Sequence, residues 1–469
     1  MSDRLAPTDA VFLHIERSGL PQHVGTVVVF APPSDTSDGI ELLDRVVNHV
    51  AGRIAFVPRY RKRLRWVPGG VADPVWVDDE RFDLSYHVRR SALPRPGGDA
   101  ELSEFVARVC SRPLDRARPL WELYVVDGVA GGGFAVVTKT HQSMIDGVQA
   151  LDLAHVILDT SQQGPPGPPS PWRPAPEPSS AELLATALLG TVAHPRRSVA
   201  VARTRAKELR RTARRAASSI AGLAVAPRPP GGPLEAAPSQ HRRFAVARTP
   251  LADYQAVARR SAEPSGETLG RLDEIAPTVN DVVLAALTGA LRQWLQHRGA
   301  PPATGDTVRA LLPVSLATPG EVDGKVVALP VGEGNPLVRL RHITYQLSPH
   351  REGGRAVSAR DLVELAGFAP PTLHGMGARA AARLSRRFAD LVVSNVPGPQ
   401  EARYAAGARL TETFPVIPLS DGHGLAVGVT SYDGHVFHGL HADRDTIPDL
   451  DLLALAVVQA LAELAGATR

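Results

Sequence analysis

His141-Gln142-Ser143-Met144-Ile145-Asp146-Gly147 is the stretch that decides the reading of this chain. The run before it, Gly133-Phe134-Ala135-Val136-Val137-Thr138-Lys139-Thr140, is apolar and β-branched, the composition of a buried strand. Beyond it, apolar residues recur at helical spacing from Val148 to Leu158. The seven residues therefore fall at a strand-to-helix junction, where side chains project into clefts. His141 carries an imidazole able to accept a proton near neutral pH, whereas the Gln142 carboxamide has no useful basicity and can only hydrogen-bond. Alternation along a strand points His141 away from whatever Gln142 faces, so the two share a side only if the strand has already ended. Taken alone, a histidine at a strand end is a satisfied structural residue.

Length and composition describe a two-domain globular protein. The 469 residues exceed what one hydrophobic core usually supports, and a 43% hydrophobic fraction is ample for two. One cysteine, Cys110, excludes an internal disulfide and fits a reducing cytosol. Met1 to Glu16 has neither the basic start nor the apolar core of a signal peptide, and no apolar run approaches the length of a membrane span. The expected location is the cytoplasm, with a peripheral position on the inner face of the plasma membrane as the variant. A net charge of +4 implies no global affinity for nucleic acid.

Three segments follow from composition: 1–163 with the motif, a linker at 164–241, and 242–469. Gly164 to Ser180 is crowded with proline and reads as extended. Glu182 to Leu189 reads as a short apolar helix. Arg196, Arg197, Arg203, Arg205, Lys207, Arg210, Arg211, Arg214 and Arg215 then crowd a helix-compatible segment in which Glu208 is the lone acid. The alternatives for it are a solvated connector, a dock for anionic headgroups and a grip on the phosphates of a co-substrate. No aromatic residues interleave these arginines, which argues against nucleic acid. Arg59-Tyr60-Arg61-Lys62-Arg63-Leu64-Arg65-Trp66 reads as a charged helix end or loop. Gly131-Gly132-Gly133 is a turn without phosphate-loop spacing, and the histidines form no HxxxH or HExxH pattern, so no metal or bound cofactor is expected. His423, His435, His438 and His441 fall around two late strands, Leu425 to Thr430 and Val436 to Leu440, and most read as surface or cleft-lining residues.

Blocks spread along the chain carry a resemblance. They are Leu5-Ala6-Pro7-Thr8-Asp9-Ala10-Val11-Phe12-Leu13-His14-Ile15-Glu16, Pro21-Gln22-His23-Val24-Gly25, Phe82 to Val88, and Pro113-Leu114-Asp115-Arg116-Ala117-Arg118-Pro119-Leu120-Trp121-Glu122. In the second half come Thr278-Val279-Asn280-Asp281-Val282, Leu312-Pro313-Val314-Ser315, Val393-Ser394-Asn395-Val396-Pro397-Gly398-Pro399, Ser431-Tyr432 and Ala442-Asp443-Arg444-Asp445. With the motif, they resemble the bacterial wax ester synthase/diacylglycerol acyltransferase family, within the coenzyme A-dependent acyltransferase superfamily. Its motif is HHxxxDG with the second His as general base, and here that position is Gln142.

The resemblance implies an α/β fold of two similar chloramphenicol acetyltransferase-like domains, with a tunnel at their interface for acyl-CoA and an alcohol. It implies transfer of a long acyl chain from coenzyme A, a co-substrate, to diacylglycerol or a fatty alcohol, at an anionic membrane or lipid-droplet surface. The alternatives are a non-catalytic lipid-binding descendant and an acyltransferase for a specialised acceptor. Asp146 takes the place of an architectural ion-pair partner and Gly147 that of the turn glycine. Asn280 and Asp281 lie near the active site, Asn280 also suiting the N-terminal cap of the Val282 to Trp294 helix. Ser394 to Pro399 reads as a strand ending in a rigid turn, with Asn395 either architectural or lining the tunnel, and Arg116 or Arg118 is expected to brace Asp115 or Asp146. Besides Gln142, the sequence departs from the family at Lys325, at Leu425-Ala426, and in an acidic insertion between Ser261 and Ala276.

Overall fold

The computed structural model describes residues 3–5, 7–32, 39–145, 156–163, 172–192, 232–237, 239–262, 275–315, 322–348 and 389–468. In chain order the strands are β1 (Asp3–Arg4), β2 (His23–Phe30), β3 (Lys62–Arg65), β4 (Val75–Asp78), β5 (Val88–Ala92), β6 (Trp121–Asp127), β7 (Phe134–His141), β8 (Arg242–Pro250), β9 (Val308–Ser315), β10 (Val322–Leu329), β11 (Leu391–Val396), β12 (Tyr404–Ala405), β13 (Ala408–Val416), β14 (Leu425–Tyr432) and β15 (His435–Asp443). The helices used below are α1 (Pro7–Ile15), α2 (Gly39–Arg53), α3 (Leu84–His87), α4 (Asp99–Cys110), α5 (Ser180–Val192), α6 (Leu251–Ser261), α7 (Val279–His297), α8 (Pro336–Leu347) and α9 (Leu450–Ala467).

Two six-stranded sheets carry the halves, one in the order β12-β13-β2-β7-β6-β5, the other β10-β9-β11-β14-β15-β8. The β-branched run read from the sequence is β7, buried at every position because β2 and β6 flank it and helices cover it. Its one charged residue, Lys139, is fully buried, its ammonium donating to the Arg112 carbonyl at 2.5 Å and lying 3.5 Å from Glu122. In the second half, α7 and α9 pack Leu284, Leu291, Val457 and Leu461 behind the sheet.

The segments 1–163, 164–241 and 242–469 do not map one to one onto the sheets. β12 and β13 belong by sequence to the last segment, yet they complete the first sheet, β13 pairing with β2 from Val416↔Gly25 to Leu410↔Phe30. Where β13 crosses the second sheet, Gly428 and Gly439 face each other under Pro415, and a Cβ on Gly439 would come within 2.0 Å of the Pro415 oxygen. Only glycine permits that approach.

Other expectations need correction. Part of the linker is not free chain: Glu177 pairs with Arg63 and Arg65, and α5 sets Leu183 against Val67, Val75 and Val77. Arg59 to Trp66 is a 3-10 turn, Pro58–Arg61, followed by strand β3 with Leu64 pointing inward. α9 is 18 residues long with a mean hydropathy of 1.7, enough by length and composition to cross a membrane, although one face is core. Arg196 to Arg215 lie outside the described residues, as do residues 148–155 of the helix read from Val148 to Leu158.

Candidate active site

β7 ends at His141, which pairs with His23 of β2, and a single 3-10 turn, Gln142–Met144, follows. His141 caps that turn. Its Nδ1 accepts the Ser143 N–H at 3.1 Å and lies 2.7 Å from the Ser143 hydroxyl. An amide can only donate, so Nδ1 is the acceptor and the imidazole proton is assigned to Nε2. That nitrogen points inward, 3.6 Å from a Glu16 carboxylate oxygen, and the side chain is 1% exposed. Gln142 is half-exposed, its backbone N–H donating to the Gln22 carbonyl at 2.9 Å. The strand has ended, and the two residues differ in burial, His141 enclosed and Gln142 half-exposed. Asp146 and Gly147 lie outside the described residues.

Glu16 was missed as a site residue. It follows α1, and its side chain is 8% exposed. Burial pushes its carboxyl up, but His141, Arg116 and the Gln22 N–H outweigh burial and hold it down at about 2. Arg116 reaches it with two bonds, at 2.6 and 3.1 Å. The expected brace with Asp115 is made by Arg118, at 3.6 Å between two largely solvated side chains. The signal in the sequence was an acid closing one block and an arginine inside another; their separation of 100 positions hid the pairing.

The loop from Glu16 to Gln22 is where the halves meet the motif. Arg17 pairs with Asp421, Ser18 accepts from Gln240 at 2.8 Å, and Arg242 donates to the Gly19 carbonyl. Leu20 packs with Val392, Leu419 and Ala426 of the second half.

There, Asn280 and Asn395 come together: Asn395 Nδ2 donates to Asn280 Oδ1 at 2.9 Å. Asn280 is not the cap of α7. Thr278 is, its hydroxyl accepting the Asp281 N–H while the Asp281 carboxylate accepts the Thr278 N–H at 2.8 Å, a reciprocal capping box. Asp281 is thus a buried structural carboxylate at the helix start, 4% exposed, whose carboxyl burial pushes up against the opposing pull of Thr278, Thr344 and Lys325. Relieved of capping, Asn280 turns its amide to the end of β11, where the backbone is pinned by Gly398: a Cβ there would lie 2.2 Å from the Ser431 oxygen.

Three of the four late histidines are core residues, not surface ones. His438 is fully buried with its Nε2 3.0 Å from the Tyr254 hydroxyl, His441 Nδ1 donates to the Ile417 carbonyl at 2.7 Å, and His423 Nε2 donates to the Ala389 carbonyl at 2.9 Å. His435 is exposed. Helices behind the sheet and β13 in front of it cover both faces, so alternation does not sort inside from outside. Among the described residues no group of three or more His, Cys, Asp or Glu is placed to hold a metal. A cavity of about 350 Å³ lies by Phe30, Leu102, Val129 and Arg248. It is at the far end of β2 from the motif, roughly 24 Å away at the usual rise per strand residue.

Residues 5–262 match the wax ester synthase/diacylglycerol acyltransferase catalytic domain, and residues 322–465 match the corresponding C-terminal domain. The chain belongs to the wax ester synthase/diacylglycerol acyltransferase family. It is 31% identical over 488 aligned positions to the probable diacylglycerol O-acyltransferase tgs1 of Mycobacterium tuberculosis, covering 100% of this chain and 96% of that one. The wax ester synthase/diacylglycerol acyltransferase of Marinobacter aquaeolei VT8 superposes with a TM-score of 0.70 at 28% identity, over 99% of this chain and 100% of that one. A starter condensation domain of rhizomide synthetase shares the fold alone, at a TM-score of 0.52 and 13% identity over 100% of this chain and 95% of that one. Within the family, the residue following the first motif histidine is here a half-exposed carboxamide, and the histidine itself is buried, with Nδ1 on Ser143 and Nε2 3.6 Å from Glu16.

Proposed function

We propose that this chain transfers a long acyl group from coenzyme A to a lipid alcohol, making triacylglycerol from diacylglycerol or a wax ester from a fatty alcohol, with Gln142 orienting the hydroxyl. The observation that carries the reading is the division of labour at the turn: His141 is buried and bonded behind the strand end, and Gln142 is the member left half-exposed. The carboxamide oxygen accepts the hydroxyl hydrogen and aims the oxygen at the thioester carbonyl carbon. The C–O bond forms, the C–S bond breaks, and the hydroxyl proton passes through water to the departing thiolate. A thioester is already activated, so orientation alone supplies much of the acceleration, with turnover slower than a positioned imidazole gives. Asn280 and Asn395 offer amide donors for the carbonyl oxygen as it gains charge. The family resemblance gives Asp146 the role of an architectural acid and Gly147 that of a turn glycine. The basic segment Arg196 to Arg215 brings the protein to anionic membrane, where water-insoluble acceptors reside.

The test is thiol release from palmitoyl-CoA with and without dioleoylglycerol or hexadecanol in mixed micelles. Release that requires the alcohol and yields the ester supports the reading. Tight acyl-CoA binding with no ester formed would instead make the chain a lipid-binding member of the family.

A further inference from the structure

We propose that Glu16 is the positioning residue of the motif turn, holding Gln142 toward the acceptor hydroxyl from behind. The assignment rests on the acyl-transfer reading above. One carboxylate reaches both strands that frame the turn. Its Oε1 accepts the Gln22 N–H at 3.1 Å, and the Gln22 carbonyl accepts the Gln142 N–H at 2.9 Å, so a single residue separates Glu16 from the one at the family's base position. Its Oε2 faces His141 Nε2 at 3.6 Å, and His141 in turn holds the Ser143 N–H of the same turn.

A charge this enclosed is stable only when compensated on more than one side. Arg116 supplies the compensation at 2.6 Å and also donates to the Leu13 carbonyl at 3.0 Å, tying the end of α1 to the segment before β6. The next residues, Arg17 and Gly19, are held by Asp421 and Arg242 of the second half. Glu16 thus sits where the packing of the two halves is passed to the turn. Displacement of a positioning group by about 1 Å costs on the order of 100-fold in rate, which is the scale on which its loss is felt.

Glu16→Gln keeps an acceptor for Gln22 and removes the charge; Glu16→Asp keeps the charge and shortens the reach. For each, kcat and KM for palmitoyl-CoA are measured with hexadecanol, alone and combined with Gln142→Ala, alongside the ¹⁵N spectrum of His141. The expected result is a kcat at least about 10-fold lower in Glu16→Gln with KM within about two-fold, a moved His141 Nε2 resonance, and no further loss when Gln142→Ala is added. Losses that multiply independently, or an unchanged kcat per folded molecule, would overturn the assignment. Should Glu16→Gln fail to fold, the same cycle is read with Glu16→Asp. Wild type without turnover overturns the acyl-transfer reading itself; an unmoved His141 resonance overturns the Glu16 assignment with that reading intact.

Discussion

Asn395, at the end of β11, donates its side-chain N–H to Asn280 Oδ1 in the first turn of α7 at 2.9 Å. The bond joins the end of a strand parallel to β14 with the start of the helix that covers the sheet. Because the two amides form one unit, Asn280→Ala and Asn395→Ala should each lower kcat by about 100- to 1000-fold, the range seen for donors to a developing oxyanion. The double variant should lose no more than the worse single one. Multiplying losses in steady-state kinetics would mean that the amides act separately.

Arg248 of β8 ties the halves together with two bonds to Asp99 of α4 at 2.7 Å each and two to Glu412 of β13 at 2.6 and 2.7 Å. The arginine side chain is 31% exposed and Glu412 25%, between the surface and buried extremes. Arg248→Ala should therefore cost about 1–2 kcal/mol in urea unfolding, with Arg248→Lys intermediate because a point charge cannot serve two carboxylates bidentately. Unfolding midpoints matching wild type would show that the halves are held elsewhere.

Acid should unfold the protein in two stages. Burial holds His438 and His441 down at about 4 in the folded chain, against about 6.5 unfolded. The unfolded state binds more protons between those values, so stability is full above about pH 6.5 and falls toward pH 4, by up to about 1.4 kcal/mol per pH unit for each histidine. Glu16, at about 2 against an unfolded value near 4.5, adds its loss only as pH falls below about 4.5. Urea midpoints measured from pH 8 to 4 should be flat above 6.5 and then drop, and His441→Gln should shallow the first stage. A midpoint constant down to pH 4.5 would contradict this.

What the sequence disclosed depended on how far apart the causes lie. The buried β7 was legible because Val136, Val137 and Thr138 are β-branched neighbours, and α7 because its apolar face repeats at helical spacing. The capping box was also legible, Thr278 standing three residues before Asp281, but the cap was placed at Asn280 because its residue type suits that role equally well. Glu16 with Arg116 and Asn280 with Asn395 are each brought together across at least 100 positions, and no local pattern encodes them. The passage of β13 into the first sheet was hidden for a similar reason: the open edge of β2 that receives it exists only once β7 has paired.

The membrane expectation stands on Arg210, Arg211, Arg214 and Arg215. Replacing all four with Gln should release the protein from vesicles containing anionic lipid, and wild-type binding should weaken as salt rises, since exposed charges are screened within about 10 Å at 0.1 M. Co-sedimentation at low and moderate salt measures both effects. Equal binding by the two proteins would leave the segment as a connector.

In the proposed reaction Gln142 orients the acceptor hydroxyl where the family's base would otherwise stand. The most direct measurement is the kcat for alcohol-dependent thiol release by Gln142→His relative to wild type. An imidazole placed there should raise kcat by about 100-fold, the usual contribution of a positioned base. A Gln142→His protein that folds normally and turns over no faster than wild type would contradict the account.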